Sequence, residues 1–165
     1  ALVALAKYPP LGQRGIAGQG MHTGYRGYGA RHATEYAPWA NDNVIVCVSI
    51  ESLEGLDNVE AIAAVPGIDM IAYGHSELSA RLGVHLQLDH PTFKAAVRRI
   101  AEACTQHGKL ARGSAETEAQ IEEYWRLGCK VLNLPGNDVS TYLDGLKARA
   151  ARAHARLKSI VVPTP

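Results

Sequence analysis

Two short apolar runs each lead into a carboxylate: Val44-Ile45-Val46-Cys47-Val48-Ser49-Ile50 before Glu51, and Met70-Ile71-Ala72-Tyr73 before Gly74-His75-Ser76-Glu77. Runs of this length, rich in apolar residues and closed by polar or Gly-containing segments, predict strands over 44–51 and 69–73. Between them the period changes to that of a helix. Leu53, Leu56, Val59, Ile62 and Ala63 share one face from about Ser52 to Ala64, and Pro66-Gly67 ends it. The alternation then continues with a short helix over 77–82 and a longer one from Pro91 to about His107. The longer helix carries Phe93, Ala96, Val97, Ile100, Ala101 and Cys104 on one stripe. A weak strand over 109–112, a helix over 116–127 and a strand over 130–134 follow, and an Ala- and Arg-rich helix from Val139 to about Lys158 carries Leu143, Leu146 and Leu157. Four strand–helix units in succession predict an α/β fold with a parallel sheet, either open and doubly wound or part of an eight-stranded barrel. A (β/α)8 barrel takes about 250 residues, so 165 residues with four strands amount to about half of one. A free half barrel would leave two strand edges and an interior uncovered, which argues against its standing alone.

The N-terminal segment reads differently. Residues 1–7 resemble the tail of a helix already under way, so the chain is expected to be a fragment. Tyr8-Pro9-Pro10-Leu11-Gly12 breaks that helix, and residues 12–29 contain seven glycines, which predicts a long adaptable loop. Its Gly15, Gly18 and Gly20 have the spacing of a phosphate-binding turn. No strong strand precedes them and no apolar helix pattern follows, so that reading is rejected.

Composition narrows the classes without choosing among them. The chain is 47% hydrophobic and 20% charged, with 17 Lys plus Arg against 16 Asp plus Glu. That is the balance of a globular protein with a real core and no field for nucleic acid or an anionic membrane. No apolar run nears the roughly 20 residues of a membrane span and no secretory signal pattern opens the chain, so the expected location is the cytoplasm. Cys47, Cys104 and Cys129 are odd in number and far apart, the pattern of buried free thiols.

The strand ends carry the candidate chemistry. In parallel α/β folds ligands bind at the carboxyl ends of the strands, where Glu51 and Glu77 are expected side by side. Two carboxylates without a thiolate or a His pair suit a hard cation, Mg²⁺ or Mn²⁺, with Co²⁺ a further candidate. Glu51 capping the next helix, or meeting an Arg across the rim, explains the spacing equally well. Gly74, placed before a helix start, leaves backbone amides free to grip a carboxylate or phosphate. His75 sits inside that turn, where a structural role outweighs contact with substrate. His22, Arg26, Arg31 and His32 in the Gly-rich segment are expected to be solvated more often than to meet a substrate. His85, His90, His107 and His154 are read as structural or surface residues.

Together, Tyr8-Pro9-Pro10-Leu11-Gly12-Gln13-Arg14-Gly15, Ser49-Ile50-Glu51, Gly74-His75-Ser76-Glu77-Leu78-Ser79 with Leu82-Gly83, and His90-Pro91 resemble the HpcH/HpaI family of metal-dependent aldolases. The likeness runs from residue 7 to about 150, and to only the C-terminal part of a family member, so residues 1–165 are expected to form the last four units, strands five to eight, of a (β/α)8 TIM barrel. Members cleave or form a carbon–carbon bond with pyruvate, or a similar 2-oxo acid, as enolate partner. The resemblance implies that Glu51 and Glu77 are the metal ligands and that Gly74 and the backbone at Ser76 and Glu77 hold the 2-oxo acid carboxylate. Ser49 stands where the family has a substrate-reaching Gln, and Glu77 where it has Asp. Arg112-Gly113-Ser114 replaces an apolar Gly-Ile-Leu, which suits a polar or acidic aldehyde acceptor. The family's catalytic His and enolate-stabilising Arg lie before residue 1, so no residue here takes those roles. Homo-oligomers, commonly hexamers built from dimers that exchange the last helix, are implied as well. Two further readings stay open: a citrate lyase-like or citrate-synthesising enzyme of the same superfamily, and a degenerate barrel without metal or catalysis.

Overall fold

The computed structural model describes residues 1–16, 20–25, 27–115, 117–133 and 138–160. Its centre is a four-stranded sheet of β1 (Cys47–Ile50), β2 (Met70–Tyr73), β3 (Leu110–Ser114) and β4 (Cys129–Asn133), in the order β1-β2-β3-β4. Every pairing is parallel, with Ile50 opposite Tyr73, Ala72 opposite Arg112 and Ser114 opposite Asn133. All four strands therefore end at the same rim. The β3–β4 register shifts between Ala111, opposite Cys129, and Arg112, opposite Val131, so Lys130 is an extra residue in β4, a β-bulge.

One face of this sheet is covered and the other is open. Ile50, Ile71, Tyr73, Ala111 and Cys129 point to the helix side, where they join Phe93, Val97, Ile100, Ala101, Cys104 and Tyr124 in one core. Phe93 and Tyr124 meet the Tyr73 ring edge-on, at 5.8 Å and 6.4 Å between centroids. The predicted stripe of α6 (Pro91–Gln106) is buried at all six positions. His90 caps that helix, its Nδ1 accepting from the Thr92 amide at 3.2 Å, and Pro91 fills the first helical position, where no amide is needed. Thr117 caps α7 (Glu118–Leu127) in the same way, and Gly128, with φ of 105°, ends it in the left-handed region that favours glycine.

Several boundaries differ from those the pattern predicts. Residues 44–46 stay outside the ladder because Asp69 holds Val46: its carboxylate accepts from the Val46 amide at 2.7 Å, and its own amide donates to the Val46 carbonyl at 3.0 Å. The single helix expected over 52–64 is two, α3 (Leu53–Asp57) and α4 (Val59–Ala63). At the break, the Asn58 side chain and amide both donate to the Glu54 carbonyl, at 2.8 Å and 3.1 Å, a local competition that ends the turn. The short helix begins two residues early, as α5 (His75–Arg81). Part of the strand expected over 130–134, Leu134, lies outside the described residues. Residues 1–7 do carry a helix, α1 (Leu2–Ala6), and α8 (Asp138–Lys158) matches the last expected helix, with no residue buried.

One element has no counterpart in the hydrophobic pattern. α2 (Tyr36–Asn43) closes a second, smaller core of Tyr8, Tyr36, Ala37 and Ala40. Lys7 Nζ donates to the Asn41 and Val44 carbonyls at 2.6 Å and 2.7 Å, and the Asn41 side chain exchanges two hydrogen bonds with the Tyr8 backbone. The YPP segment is thus tied to the entry of the sheet. Among the described residues, no helix is long and apolar enough to cross a membrane.

The thiols need a correction. Cys104 and Cys129 are buried, and burial pushes each up to about 11, but Cys47 is exposed because it faces the open side of β1. At pH 8, Ellman's reagent is therefore expected to label one thiol of this chain quickly, and Cys47→Ser to abolish that phase. Two fast thiols would contradict the assignment. Phe93→Ala is expected to lower unfolding stability by about 3–5 kcal/mol in urea titration, since the ring is fully buried.

Candidate active site

On the open face of the sheet, the alternation of strand residues sets out two rows near the carboxyl rim. Ser49, Ala72, Arg112 and Val131 form one, and Glu51, Gly74, Ser114 and Asn133 extend the same register to the rim. The Gly74 amide donates to the Ile50 carbonyl at 3.2 Å, so the residue after β1 lies beside the residue after β2. Glu51 uses that closeness. Its carboxyl group sits against the Gly74 backbone, where a Cβ would lie 2.7 Å from Glu51 Cγ and 2.8 Å from Oε1. Only glycine leaves this space. Ser49 Oγ donates to Glu51 Oε1 at 2.9 Å and fixes the carboxylate from below.

The simpler roles open to Glu51 are not the ones it plays. Ser52, not Glu51, caps α3, its Oγ accepting from the Gly55 amide at 3.0 Å, and Glu51 belongs to none of the described ion pairs. Glu77 is likewise exposed and outside those ion pairs, in the first turn of α5, three residues beyond Gly74. Among the described residues no cation pairs with either carboxylate at these neighbouring strand exits. Among the described residues no group of three or more His, Cys, Asp and Glu is placed to hold a metal.

The turn around Gly74 is held from behind. Leu78 closes the first helical bond, its amide donating to the Gly74 carbonyl at 2.8 Å, so the amides of His75, Ser76 and Glu77 have no intrahelical acceptor. Ser79, fully buried, donates to the Ser76 carbonyl at 3.0 Å and accepts from the Leu86 amide at 2.9 Å. That bridge ties the loop after α5 to its first turn and brings His85 Nε2 to 3.4 Å from Ser76 Oγ. Residue spacing assigned this role to neither Ser79, which entered the sequence reading only as part of the Gly74–Ser79 run, nor His85. His75 is half-buried at the helix start.

The described contacts of His22, Arg31 and His32 are made within their own segment and with Tyr8, not with the strand-exit residues. His32 is buried between the Tyr8 and Tyr36 rings, at 5.1 Å and 5.0 Å, contrary to the solvated position expected for it. Small-core packing holds it there, with neither ring nitrogen partnered among the described residues. Arg31 pairs with Glu35 in solvent at 3.3 Å, and Arg26 lies outside the described residues. His22, Tyr28, Tyr36 and Trp39 line a cleft of about 500 Å³ that includes none of the strand-exit residues.

A family model, HpcH/HpaI aldolase/citrate lyase, matches residues 1–141. The 5-keto-4-deoxy-D-glucarate aldolases of Klebsiella pneumoniae and of Escherichia coli are each 34% identical to the chain over 140 residues, 85% of it and 52% of their own length. The chain thus spans about half the length of these curated relatives. Among solved structures it is similar to an HpcH/HpaI aldolase from Desulfitobacterium hafniense, with a TM-score of 0.72, 25% identity and coverage of 99% of this chain and 60% of that one. An HpcH/HpaI aldolase/citrate lyase family protein from Burkholderia cenocepacia gives 0.74, 30%, 92% and 58%, and the citrate synthase SbnG gives 0.73, 25%, 95% and 58%. The sheet is accordingly part of a (β/α)8 barrel, which accounts for its single open face.

Gly74→Ala tests the seating of Glu51. The added methyl meets the end of a flexible, exposed side chain, so denaturation is expected to shift by less than about 1 kcal/mol, while a crystal structure shows the Glu51 carboxylate swung off the strand exit. A loss of several kcal/mol, or an unmoved carboxylate, would contradict this geometry.

Proposed function

The chain belongs to the HpcH/HpaI aldolase/citrate lyase family, and from that premise we propose that it carries the metal- and 2-oxo-acid-binding half of a carbon–carbon lyase acting on 4-hydroxy-2-oxo acids. The observation that supports this most is the pair of carboxylates at adjacent parallel exits, paired with no cation among the described residues, one of them seated in a space that only Gly74 leaves open. Their donor chemistry fits a divalent cation. Two carboxylates without thiolate or imidazole form a hard oxygen set, suited to Mg²⁺ or Mn²⁺ and compatible with Co²⁺. Glu51 and Glu77 would hold it, and it would act as a Lewis acid toward the keto group of a 2-oxo acid.

The rest of the work belongs to the chain's own groups. Ser49 orients Glu51 through its hydrogen bond to Oε1. Gly74 and the amides at Ser76 and Glu77 face the substrate carboxylate, and the Ser79 bridge keeps that turn from shifting. Cleavage breaks the C3–C4 bond: the C4 hydroxyl gives up its proton, the bond's electron pair passes to the 2-oxo acid fragment as an enolate, and C3 is then protonated to give pyruvate and an aldehyde. The base that takes the hydroxyl proton is not assigned to this chain. It is proposed to come from the first four units of the barrel, of which residues 1–165 would be the last four.

Relatives that make or split citrate favour a second reading, condensation of an enolate with a 2-oxo acid. Assembly is part of the proposal too. The exposed Val139, Tyr142, Leu143, Leu146 and Leu157 on α8 support a homo-oligomer, and the composition supports a cytoplasmic setting.

Pyruvate release from 4-hydroxy-2-oxo acids, measured on the full protein stripped with EDTA, is expected to vanish and to return with Mg²⁺ or Mn²⁺. Metal-independent release, or product only with acyl-CoA donors, would exclude the aldolase reading. Glu51→Gln and Glu77→Gln are each expected to weaken Mn²⁺ binding by at least about 100-fold, with Glu77→Asp largely retaining it. Unchanged affinity in both Gln variants would overturn the ligand assignment.

A further inference from the structure

The loop after α5 is tied down residue by residue, and the side chain it presents to the turn beside Gly74 is His85. The Val84 amide donates to the Ser79 carbonyl, the Leu86 amide to Ser79 Oγ and the Gln87 amide to the Val84 carbonyl, each at 2.9 Å. Val84 and Leu88, on either side, are buried in the main core. Between them Leu86 has a φ of 56°, in the left-handed region that a residue with a side chain enters at a cost. Its own side chain is exposed, so burial of Leu86 does not offset that cost. What the turn secures is the residue before it, whose Nε2 lies 3.4 Å from Ser76 Oγ.

Ser76 brings two groups to this turn, an amide without an intrahelical acceptor and a hydroxyl. Its carbonyl is held from behind by the buried Ser79 hydroxyl at 3.0 Å. A hydroxyl donates one proton and accepts through its lone pairs, whereas a carboxylate only accepts. A carboxylate seated at the turn therefore fixes the direction of the pair: the Ser76 O–H donates to the carboxylate, and Ser76 Oγ accepts from His85 Nε2–H. Hydrogen bonds in series polarise one another, so the imidazole makes the hydroxyl a better donor.

We infer that His85 is a positioning residue for the 2-oxo acid, which through its Nε2–H sets the Ser76 hydroxyl to donate to the substrate carboxylate. This rests on the reading of Gly74 and the Ser76 and Glu77 amides as the place where that carboxylate sits. The carboxylate keeps its charge while the C3–C4 bond breaks, so the pair contributes equally before and during cleavage, and KM rather than kcat carries the effect.

The test titrates pyruvate into the full protein loaded with Mg²⁺, followed by calorimetry. His85→Ala is expected to weaken pyruvate binding by about 5-fold and Ser76→Ala by about 10-fold. Adding His85→Ala to Ser76→Ala is expected to cost less than about 2-fold more, since without the hydroxyl the imidazole has nothing to orient. His85→Gln, whose side-chain amide also donates, is expected to return affinity to within about 2-fold of the unsubstituted protein. Unchanged affinity in His85→Ala, a loss as large in the Ser76→Ala background as outside it, or a parallel loss of Mn²⁺ affinity measured without pyruvate would overturn the assignment. If the unsubstituted protein binds pyruvate and any of these results is found, this inference fails alone; if it binds none, the 2-oxo acid site fails and takes this inference with it.

Discussion

The hydrogen bond from the Gly74 amide to the Ile50 carbonyl closes the parallel register of β1 on β2 at the rim, and the site is built on that closure. In a parallel ladder every strand runs the same way, so each exit delivers its next residues to the same edge of the sheet. Glu51 leaves β1 at that edge, and α5 begins there one strand away. Antiparallel pairing would send the two exits to opposite edges, and a register slipped by one residue would turn Glu51 to the helix side; either would dissolve the site. Because Gly74 carries no side chain, the carboxyl group and the neighbouring backbone occupy the same small volume.

The helix layer is what makes this register hold. Phe93, Val97, Ile100 and Tyr124 pack on Ile71, Tyr73 and Ala111 from one side only, so the inward residues of each strand are specified by burial and the outward ones are released for chemistry. Ties at the surface add little by comparison. Arg99 grips Glu60 at 2.9 Å and holds its carboxyl down at about 2, joining α6 to α4, but the pair is well solvated. One face covered by helices and one left open is what a barrel stave presents, with its ligand site at the carboxyl ends of the strands.

Much of this was legible in the sequence where a periodic signal existed. The stripe of α6, the four strand–helix units and the rim position of Glu51 follow from residue spacing alone, and the Tyr8-Pro9-Pro10 run with Gly74-His75-Ser76-Glu77 pointed to the family. What spacing could not show were contacts made by single polar groups. Asn58 splits a helix that Leu53, Leu56 and Val59 predict as continuous, and Asp69 takes Val46 out of a strand that its apolar neighbours extend. α2 escaped because its helix depends on packing Tyr36 against Tyr8 and His32, a tertiary arrangement with no local period. Cys47 was expected to be buried because an apolar strand residue usually is; its side chain faces the one surface this sheet leaves open.

The central claim is that Glu51 and Glu77 close on one cation that a 2-oxo acid shares. Crystals of the full protein grown with Mn²⁺ and pyruvate, with data collected at the manganese absorption edge, address it most directly. The account predicts an anomalous peak about 2.1 Å from an oxygen of each carboxylate, with pyruvate completing the coordination beside Gly74. A peak elsewhere, or one that leaves either carboxylate unbound, would contradict it.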